Sequence, residues 1–598
     1  MIIKVAEYIS DFLVTHGIND CFMVTGGGAM HLDDAIGHQK GMHVTFNHHE
    51  QACAIAAEAY TRLTGRIAAV CVTSGPGGTN AITGVMGGWV DSIPMFVLTG
   101  QVKRETTLWA CKDLNLRQLG DQEFNIIDSV SNMTKYAVMV TDPQEIAYHL
   151  EKALYMASIE RGGPVWIDVP LDVQGAKVDT DALIHFNPEV EHPWGVPSVS
   201  AAIIDIVIDK IKHAKAPLVL AGTGIRLGGA ENLFLSFLKK YQIPVVTAWN
   251  ANDTLAYDNP LFVGMPGTVG IRSGNFAIQN CDVLISLGCR MNLRMIGYNH
   301  FDFAKNAFKI VVDIDSRELY KPTVRPELPI HADVYDFLSA MLDRDYAPIE
   351  RHDKWRSWCR NLLLKYPAVQ KSYYHDEGYI NPYVFIDKLF NELNENDRII
   401  CGNGSACVIT FQACKIKQGQ RMFTNSGCAA MGYGFPAAIG AAVSDKSNRT
   451  ICIDGDGSFM MNLQELATVA YNELNIKVII INNNGYLSIR QTQTNLFKPP
   501  FIGIDKESGI GFPDFKILAD AFGISYYKIC EERECELTLR DMLSSNDPCI
   551  CEVVVDPNQN FEPKSSSKVL PDGRIVSPSL DDMKPFLERD EFDKIKFE

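Results

Sequence analysis

Two short β-branched runs, each ending in ligand-type residues and about 27 residues apart, constrain the fold more than any other part of the chain. Thr450-Ile-Cys-Ile-Asp454 runs into Gly455-Asp456-Gly457-Ser458, and Lys477-Val-Ile-Ile-Ile481 runs into Asn482-Asn483-Asn484-Gly485. Both read as buried parallel strands. Between them Leu463, Leu466, Ala467 and Ala470 recur at helical spacing, which predicts a crossover helix over residues 462–474 and hence a βαβ unit. Asp456 and Asn483 then sit at the carboxyl ends of neighbouring strands, where open α/β sheets place their ligands. Their hard oxygens, with Gly485 beside them, suit a Mg²⁺ ion that keeps phosphate oxygens in its remaining positions, and the glycines let backbone approach closely. A lone Gly-Asp-Gly is usually an ordinary turn; the second motif and both strand contexts argue against that here.

The rest of the chain repeats the βα pattern. At 598 residues it exceeds a single core, and three domains of ordinary size are expected. Residues 1–178 alternate helical patterns with apolar strands such as Ala68-Ala69-Val70-Cys71-Val72 and Pro164-Val-Trp-Ile-Asp-Val-Pro170. A polar, proline-bearing stretch at 179–197 reads as a linker. Residues 198–342 form a second βα segment, 343–381 a charged helical connection, and 381–556 a third segment carrying the paired motifs. Residues 557–598 differ in composition and read either as a flexible end or as a lid. The expected class is α/β, three doubly wound parallel-sheet domains.

Composition excludes several function classes. A formal charge of −17 with no compensating basic stretch opposes a nucleic-acid surface. No apolar run is long enough to cross a bilayer, so no membrane role is expected. The first residues read as the start of an amphipathic helix, and the 16 cysteines lack paired metal spacing, so reduced thiols and a cytoplasmic location are the expectation.

Gly455-Asp456-Gly457-Ser458 with Asn482-Asn483 resembles the diphosphate motif of thiamine diphosphate enzymes. His48-His49-Glu50-Gln51-Ala52-Cys53, Ala56-Ala57-Glu58-Ala59-Tyr60 and Thr73-Ser74-Gly75-Pro76-Gly77-Gly78-Thr79-Asn80 are similar to the pyrimidine domain of the acetolactate synthase group. The resemblance runs from Val5 to Val555. It implies thiamine diphosphate and Mg²⁺ as cofactors, a shared fold for the first and third segments, and a homodimer or homotetramer whose site lies between the first segment of one subunit and the third of another.

Residue by residue, the resemblance makes Glu50 the carboxyl group that bonds the aminopyrimidine ring, a task that needs a group able to share a proton in apolar surroundings. It places Gln101 and Gln122 near the reacting centre, Gly27 and Gly75 against the cofactor, and Met431 as the apolar wedge that bends it. His48 and His49 are lesser candidates for proton relay. In the middle segment Gly222 and Gly224 form a loose dinucleotide loop. Gly264-Met-Pro-Gly-Thr268, Ser286-Leu-Gly-Cys-Arg290 and Val312-Asp313-Ile-Asp-Ser316 resemble the FAD-binding domain of the group, which implies a structural FAD.

The departures from the group fall in the acceptor pocket. Asp121-Gln122-Glu123 replaces Phe-Gln-Glu, and Arg490-Gln491-Thr492 has no tryptophan where the group selects its second keto acid. Losing an aromatic ring opens the pocket to a larger or more polar acceptor. Arg290 pulls the other way, as a match to the arginine that fixes an acceptor carboxylate, although a phosphate or the flavin would serve it equally. The leading expectation is a carboligase that decarboxylates pyruvate and transfers the two-carbon unit to a 2-keto acid or a larger keto compound, such as a keto sugar nucleotide. A non-oxidative decarboxylase, a flavin-reducing oxidase and a catalytically silent regulatory paralogue are the alternatives.

Overall fold

The computed structural model describes residues 1–375, 378–566, 568–569 and 572–598, and in it three six-stranded, all-parallel sheets account for the repeated βα pattern. The first sheet uses Asp20–Met23, His43–Phe46, Ala69–Val72, Phe96–Gln101, Tyr136–Met139 and Val165–Pro170. Numbered in chain order, these strands lie in the spatial order 2-1-3-4-6-5. The third sheet uses Arg398–Cys401, Arg421–Phe423, Thr450–Gly455, Ile476–Asn482, Ser525–Ile529 and Cys549–Val554, and repeats the order 2-1-3-4-6-5. The first and third segments therefore share one wiring, as expected. The central sheet, from Pro217–Ala221 through Val245–Thr247, Phe262–Gly264, Val283–Leu287 and Phe308–Asp313 to Leu328–His331, has the order 3-2-1-4-5-6 of dinucleotide-binding folds.

Local physics explains most of these elements. The central strands are near-continuous Val, Ile and Leu runs because helices cover both sheet faces. The chain begins with the strand Ile2–Lys4, paired antiparallel with Lys177–Asp179, before the amphipathic helix Val5–Thr15. The linker expected at 179–197 is irregular apart from short turns and the helix Pro188–Glu191. The second connection holds the helix His352–Lys365, while positions 376–377 lie outside the described residues. Among the described residues no helix is long and apolar enough to cross a membrane.

The domains of one chain dock closely. Helix Glu50–Thr64 of the first packs on helix Gly434–Ser444 of the third, with Tyr433 Oη donating to Glu58 Oε2 at 2.7 Å. A Cβ on Gly440 would come within 2.0 Å of the Ala56 carbonyl oxygen, so only glycine permits this approach. Gly440→Ala is expected to cost ~1–3 kcal/mol by overpacking, read as a lower denaturation midpoint; an unchanged midpoint would show that the helices separate freely. The central and third domains meet where Trp249 stacks on Phe411 with ring centroids 5.0 Å apart and Gln412 donates to the Val269 carbonyl.

The described part of the tail is fastened to the central domain instead of hanging free. Lys564 and Lys584 exchange backbone hydrogen bonds, Ser565 N–H donates to Thr268 O at 2.7 Å, and buried Asn275 donates to Leu580 O at 2.9 Å. Phe597 packs edge-on against Trp355 at 4.9 Å. Positions 567, 570 and 571 of the expected polar stretch lie outside the described residues.

A buried acid in the first sheet sets a pH dependence. Asp168, 1% exposed, accepts from Thr99 Oγ1 at 2.8 Å and from Gln101 Nε2 at 3.1 Å, and burial pushes its carboxyl up to about 7. The folded protein holds this proton more tightly than the unfolded chain, so the group's contribution is complete below the unfolded value near ~4 and is lost as pH rises through about 7. Asp168→Asn is expected to flatten the fall in melting temperature across that window; a slope equal to that of the parent protein would remove Asp168 as its source.

Candidate active site

The paired motifs form one wall of a cleft of about 320 Å³. Strand Thr450–Gly455 delivers Asp456 at its carboxyl end and the neighbouring strand Ile476–Asn482 delivers Asn483, because the two pair in parallel with Gly455 opposite Ile481. Asp456 Oδ1 accepts from Gly457 N–H at 2.7 Å and Oδ2 from Gly485 N–H at 2.8 Å, so the carboxylate ties the two loops together. Burial pushes this acid up to about 6, against the backbone N–H groups of Gly485 and Gly457 and the charge of Arg490, which favour its ionised form. Asn483 donates Nδ2 to Ser405 Oγ at 3.0 Å, while its Oδ1 is buried with no protein partner. An orphaned acceptor beside a buried carboxylate is what an oxygen-liganded cation requires, and Asp456, Asn483 and the Gly485 backbone fit Mg²⁺.

Two glycines are obligatory in this wall. A Cβ on Gly457 would strike the Tyr486 ring at 2.0 Å, and one on Gly485, whose φ is +127°, would strike Ile504 O at 1.9 Å. A Cβ on Gly455 would meet open space, which leaves its backbone free to face a ligand. Ser458 Oγ accepts from Gly432 N–H at 3.0 Å and so fixes the loop carrying Met431, which lines the same cleft. The cleft thus collects Met431, Gly455, Asp456, Gly457, Ser458, Asn483 and Gly485.

It does not collect the candidates from the first domain. None of Gly27, Glu50, Gly75, Gln101 or Gln122 lines it, and none of the described tail residues does. Glu50 opens the helix Glu50–Thr64, half-buried, with Oε2 accepting from Asn80 Nδ2 at 3.0 Å. His49 is the N-cap of that helix, its ring nitrogen accepting from Gln51 N–H at 3.1 Å, which uses it structurally; His48 is exposed. Gly75 lies under Gln122, whose carbonyl oxygen would be 2.3 Å from a Cβ there, and Gly27 faces open space. Gln101 is committed within its own domain, donating to Phe124 O at 2.9 Å and to Asp168.

The acceptor-pocket candidates are redistributed. Arg490 faces away from the cleft: its guanidinium donates to Asn483 O, Pro557 O and Asn484 O and lies 3.6 Å from Asp505, bracing the metal-motif loop from behind. Thr492 bonds Ser488 O on the exposed side of helix Leu487–Leu496, and Asp121 is exposed on the first domain. Arg290 lies in a different cavity, of about 400 Å³, between the first and central domains, together with Gly222, Gly224 and Asp313. There a Cβ on Gly222 would meet Gly288 O at 2.1 Å, so this glycine is also demanded by loop packing. Asp313 accepts from Asp315 N–H at 2.9 Å, and burial raises its carboxyl to about 6.

Sequence reasoning missed Arg294. It sits in the short helix Leu293–Ile296, N-capped by Asn292, lines the metal-motif cleft from the central domain, and stacks over Trp249 at 4.9 Å. The cap residue just before a cation was the available signal. Ser405, which orients Asn483, carried none.

Three family models match this chain. The N-terminal TPP binding domain of thiamine pyrophosphate enzymes matches residues 3–129, the central domain matches 204–341, and the C-terminal TPP binding domain matches 402–553. A probable acetolactate synthase large subunit of Methanocaldococcus jannaschii is 32% identical, covering 99% of this chain and 98% of its own length. The acetolactate synthase large subunit of Lactococcus lactis is 31% identical with 92% of each chain covered, and the isozyme 2 large subunit of Escherichia coli is 30% identical over 93% of this chain and 96% of its own.

Proposed function

Because this chain belongs to the acetolactate synthase-like group of thiamine diphosphate enzymes and is a carboligase of that kind, we propose that it takes a two-carbon unit from pyruvate and joins it to a carbonyl acceptor larger or more polar than a second pyruvate. When bound, thiamine diphosphate supplies the electron sink for decarboxylation. Asp456, Asn483 and the Gly485 backbone would hold Mg²⁺, and the open backbone at Gly455 would face the diphosphate. Met431 supplies the apolar wedge. Glu50 of a neighbouring subunit closes the cleft, where its carboxyl holds and passes a proton. Two features support that sharing: among the described residues the cleft is lined by the central and third domains alone, and Glu50 is half-buried with Asn80 as its partner.

Arg294 takes the acceptor role, which was one of those open to Arg290. Its guanidinium is free of ion pairs among the described residues, faces the cleft and is oriented by Trp249, which suits an acceptor with a carboxylate or phosphate. The observation that carries the acceptor assignment is the helix Leu487–Leu496, which lines the cleft with Leu487, Ser488 and Ile489, so that Tyr486 at its N-cap is the one aromatic ring among the described lining residues. Such a wall discriminates weakly for a small alkyl group. The test is incubation with thiamine diphosphate, Mg²⁺ and pyruvate, alone and beside a panel of keto acids and keto sugar nucleotides, with products identified by mass spectrometry. An extended product only with added acceptor is expected; acetolactate from pyruvate alone would restore the ordinary synthase, and acetaldehyde alone a decarboxylase.

We further read the cavity between the first and central domains as the FAD site, supported by the central strand order and by Gly222, Gly224, Arg290 and Asp313 lining one space. Asp313 would accept from a ribose hydroxyl and Arg290 would pair with the diphosphate. Denaturing the purified protein is expected to release flavin in equal amount with the chain. Arg290→Ala is expected to lower flavin content while leaving thiamine diphosphate affinity within about twofold, because Arg290 lines only one of the two cavities, which share Ser426 alone among the described residues.

A further inference from the structure

The turn that carries Glu50 is held by a carboxylate from the third domain of the same chain. Glu465, with no exposed surface, lies on the crossover that follows Asp456. It accepts from Asn47 Nδ2 at 2.9 Å, from the His48 backbone N–H at 3.0 Å and from Thr468 Oγ1 at 2.7 Å. No ion pair neutralises it among the described residues; three neutral donors do all the compensation. Equally buried Asn462 donates Nδ2 to Gln51 Oε1 at 3.2 Å and to Gly432 O at 2.8 Å, reaching both the Glu50 turn and the loop of Met431. A buried unpaired carboxylate is an expensive way to fill space, and an apolar residue would pack there at less cost. What the carboxylate adds is direction, because its donors fix the backbone leading into His48-His49-Glu50.

We propose that Glu465 is a positioning residue which sets the Glu50 turn of its own chain. It therefore governs the cofactor site to which its own Asp456 does not contribute. The proposal rests on the reading that Glu50 and Asp456 of different subunits face one cofactor. Each chain then couples its two half-sites through a path that runs from Asp456 and Ser458, through Asn462 and Glu465, to the Glu50 turn.

Hybrid oligomers test this with internal controls. Mixing Glu50→Gln chains with Asp456→Ala chains creates one intact site, which takes Glu50 from the Asp456→Ala chain and Asp456 from the Glu50→Gln chain. Adding Glu465→Ala to the Asp456→Ala chain is expected to cut the restored activity by ~10- to ~100-fold, through misplacement of Glu50. Adding it to the Glu50→Gln chain is expected to change the restored activity less than about twofold. Both hybrids carry the same three substitutions, so a general loss of stability acts on them equally. Equal effects in the two hybrids would overturn the proposal. Hydrogen exchange of the cofactor-free protein gives a readout independent of turnover. The His48 amide should exchange at least about tenfold faster in Glu465→Ala, and Glu465→Gln, whose side-chain oxygen still accepts from His48 N–H, should restore most of the protection. Unchanged exchange in Glu465→Ala would also overturn it. If the original hybrid recovers nothing after verified subunit exchange, the shared-site reading fails, and with it the trans assignment; the exchange experiment then decides separately whether Glu465 holds the turn.

Discussion

Glu50→Gln is expected to lower carboligation by ~10²- to ~10⁴-fold, the range that a positioned proton-transfer group contributes. Glutamine keeps the length and shape of the side chain, and its oxygen can still accept from Asn80 Nδ2, the polar partner of Glu50 among the described residues. The helix it opens remains capped by His49 and closed by Gly65 in the left-handed conformation, so the fold has no reason to change. The loss should therefore fall on kcat, with melting temperature within a degree or two and the pyruvate KM nearly constant. Activity within about twofold of the parent protein would remove Glu50 from the reaction and leave it a helix-terminal carboxylate.

The second large effect belongs to Asp456→Ala. This change removes the proposed metal-ligand oxygens and also strands the Gly457 and Gly485 N–H groups that Asp456 accepts from. Outer-shell partners of a metal are commonly worth 10–100-fold in affinity, so loss of a direct ligand is expected to weaken Mg²⁺-dependent cofactor binding by ~100-fold or more, as measured by calorimetric titration at fixed metal concentration. Asn483→Ala should be milder, since it removes a neutral ligand and leaves only Ser405 without its donor. Equal cofactor affinity in Asp456→Ala and the parent protein would move the metal elsewhere.

The parts of this architecture that sequence revealed were governed by neighbours in the chain. The β-branched runs before Gly455 and Asn482 are strands because each is short, apolar and ended by turn residues, and they appear as Thr450–Gly455 and Ile476–Asn482. The helix expected over 462–474 is shorter. Residues Leu463–Glu465 form a tighter turn and the helix proper is Leu466–Tyr471, because Asn462 and Glu465 direct their side chains into the first domain. Such recruitment across more than 400 positions leaves no periodic trace. Arg490 shows the same limit: a cation beside a candidate pocket reads as a substrate ligand, and its backbone-oxygen partners are brought together only by folding. Arg294 carried no role in the sequence, and Arg290 two open ones, because strand Val283–Leu287 ends at Gly288, whose φ of +54° turns the chain in a way that spacing does not show. Arg290 then faces the first domain, and Arg294, after the Asn292 cap, faces the third.

The repeated strand order means that the first and third domains can be laid over one another strand for strand, as two castings from one mould. The third strand of one ends at Val72, before Thr73-Ser74-Gly75; that of the other ends at Gly455, before Asp456-Gly457-Ser458. The crossover after the second strand delivers Glu50 in one casting and Met431 in the other. Acid and cation holder thus occupy different seats of a common chassis. A graft of Asp456-Gly457-Ser458 onto Thr73-Ser74-Gly75 would ask whether the original seat can still accept metal, and so whether the two halves diverged by losing complementary tools from one ancestral domain.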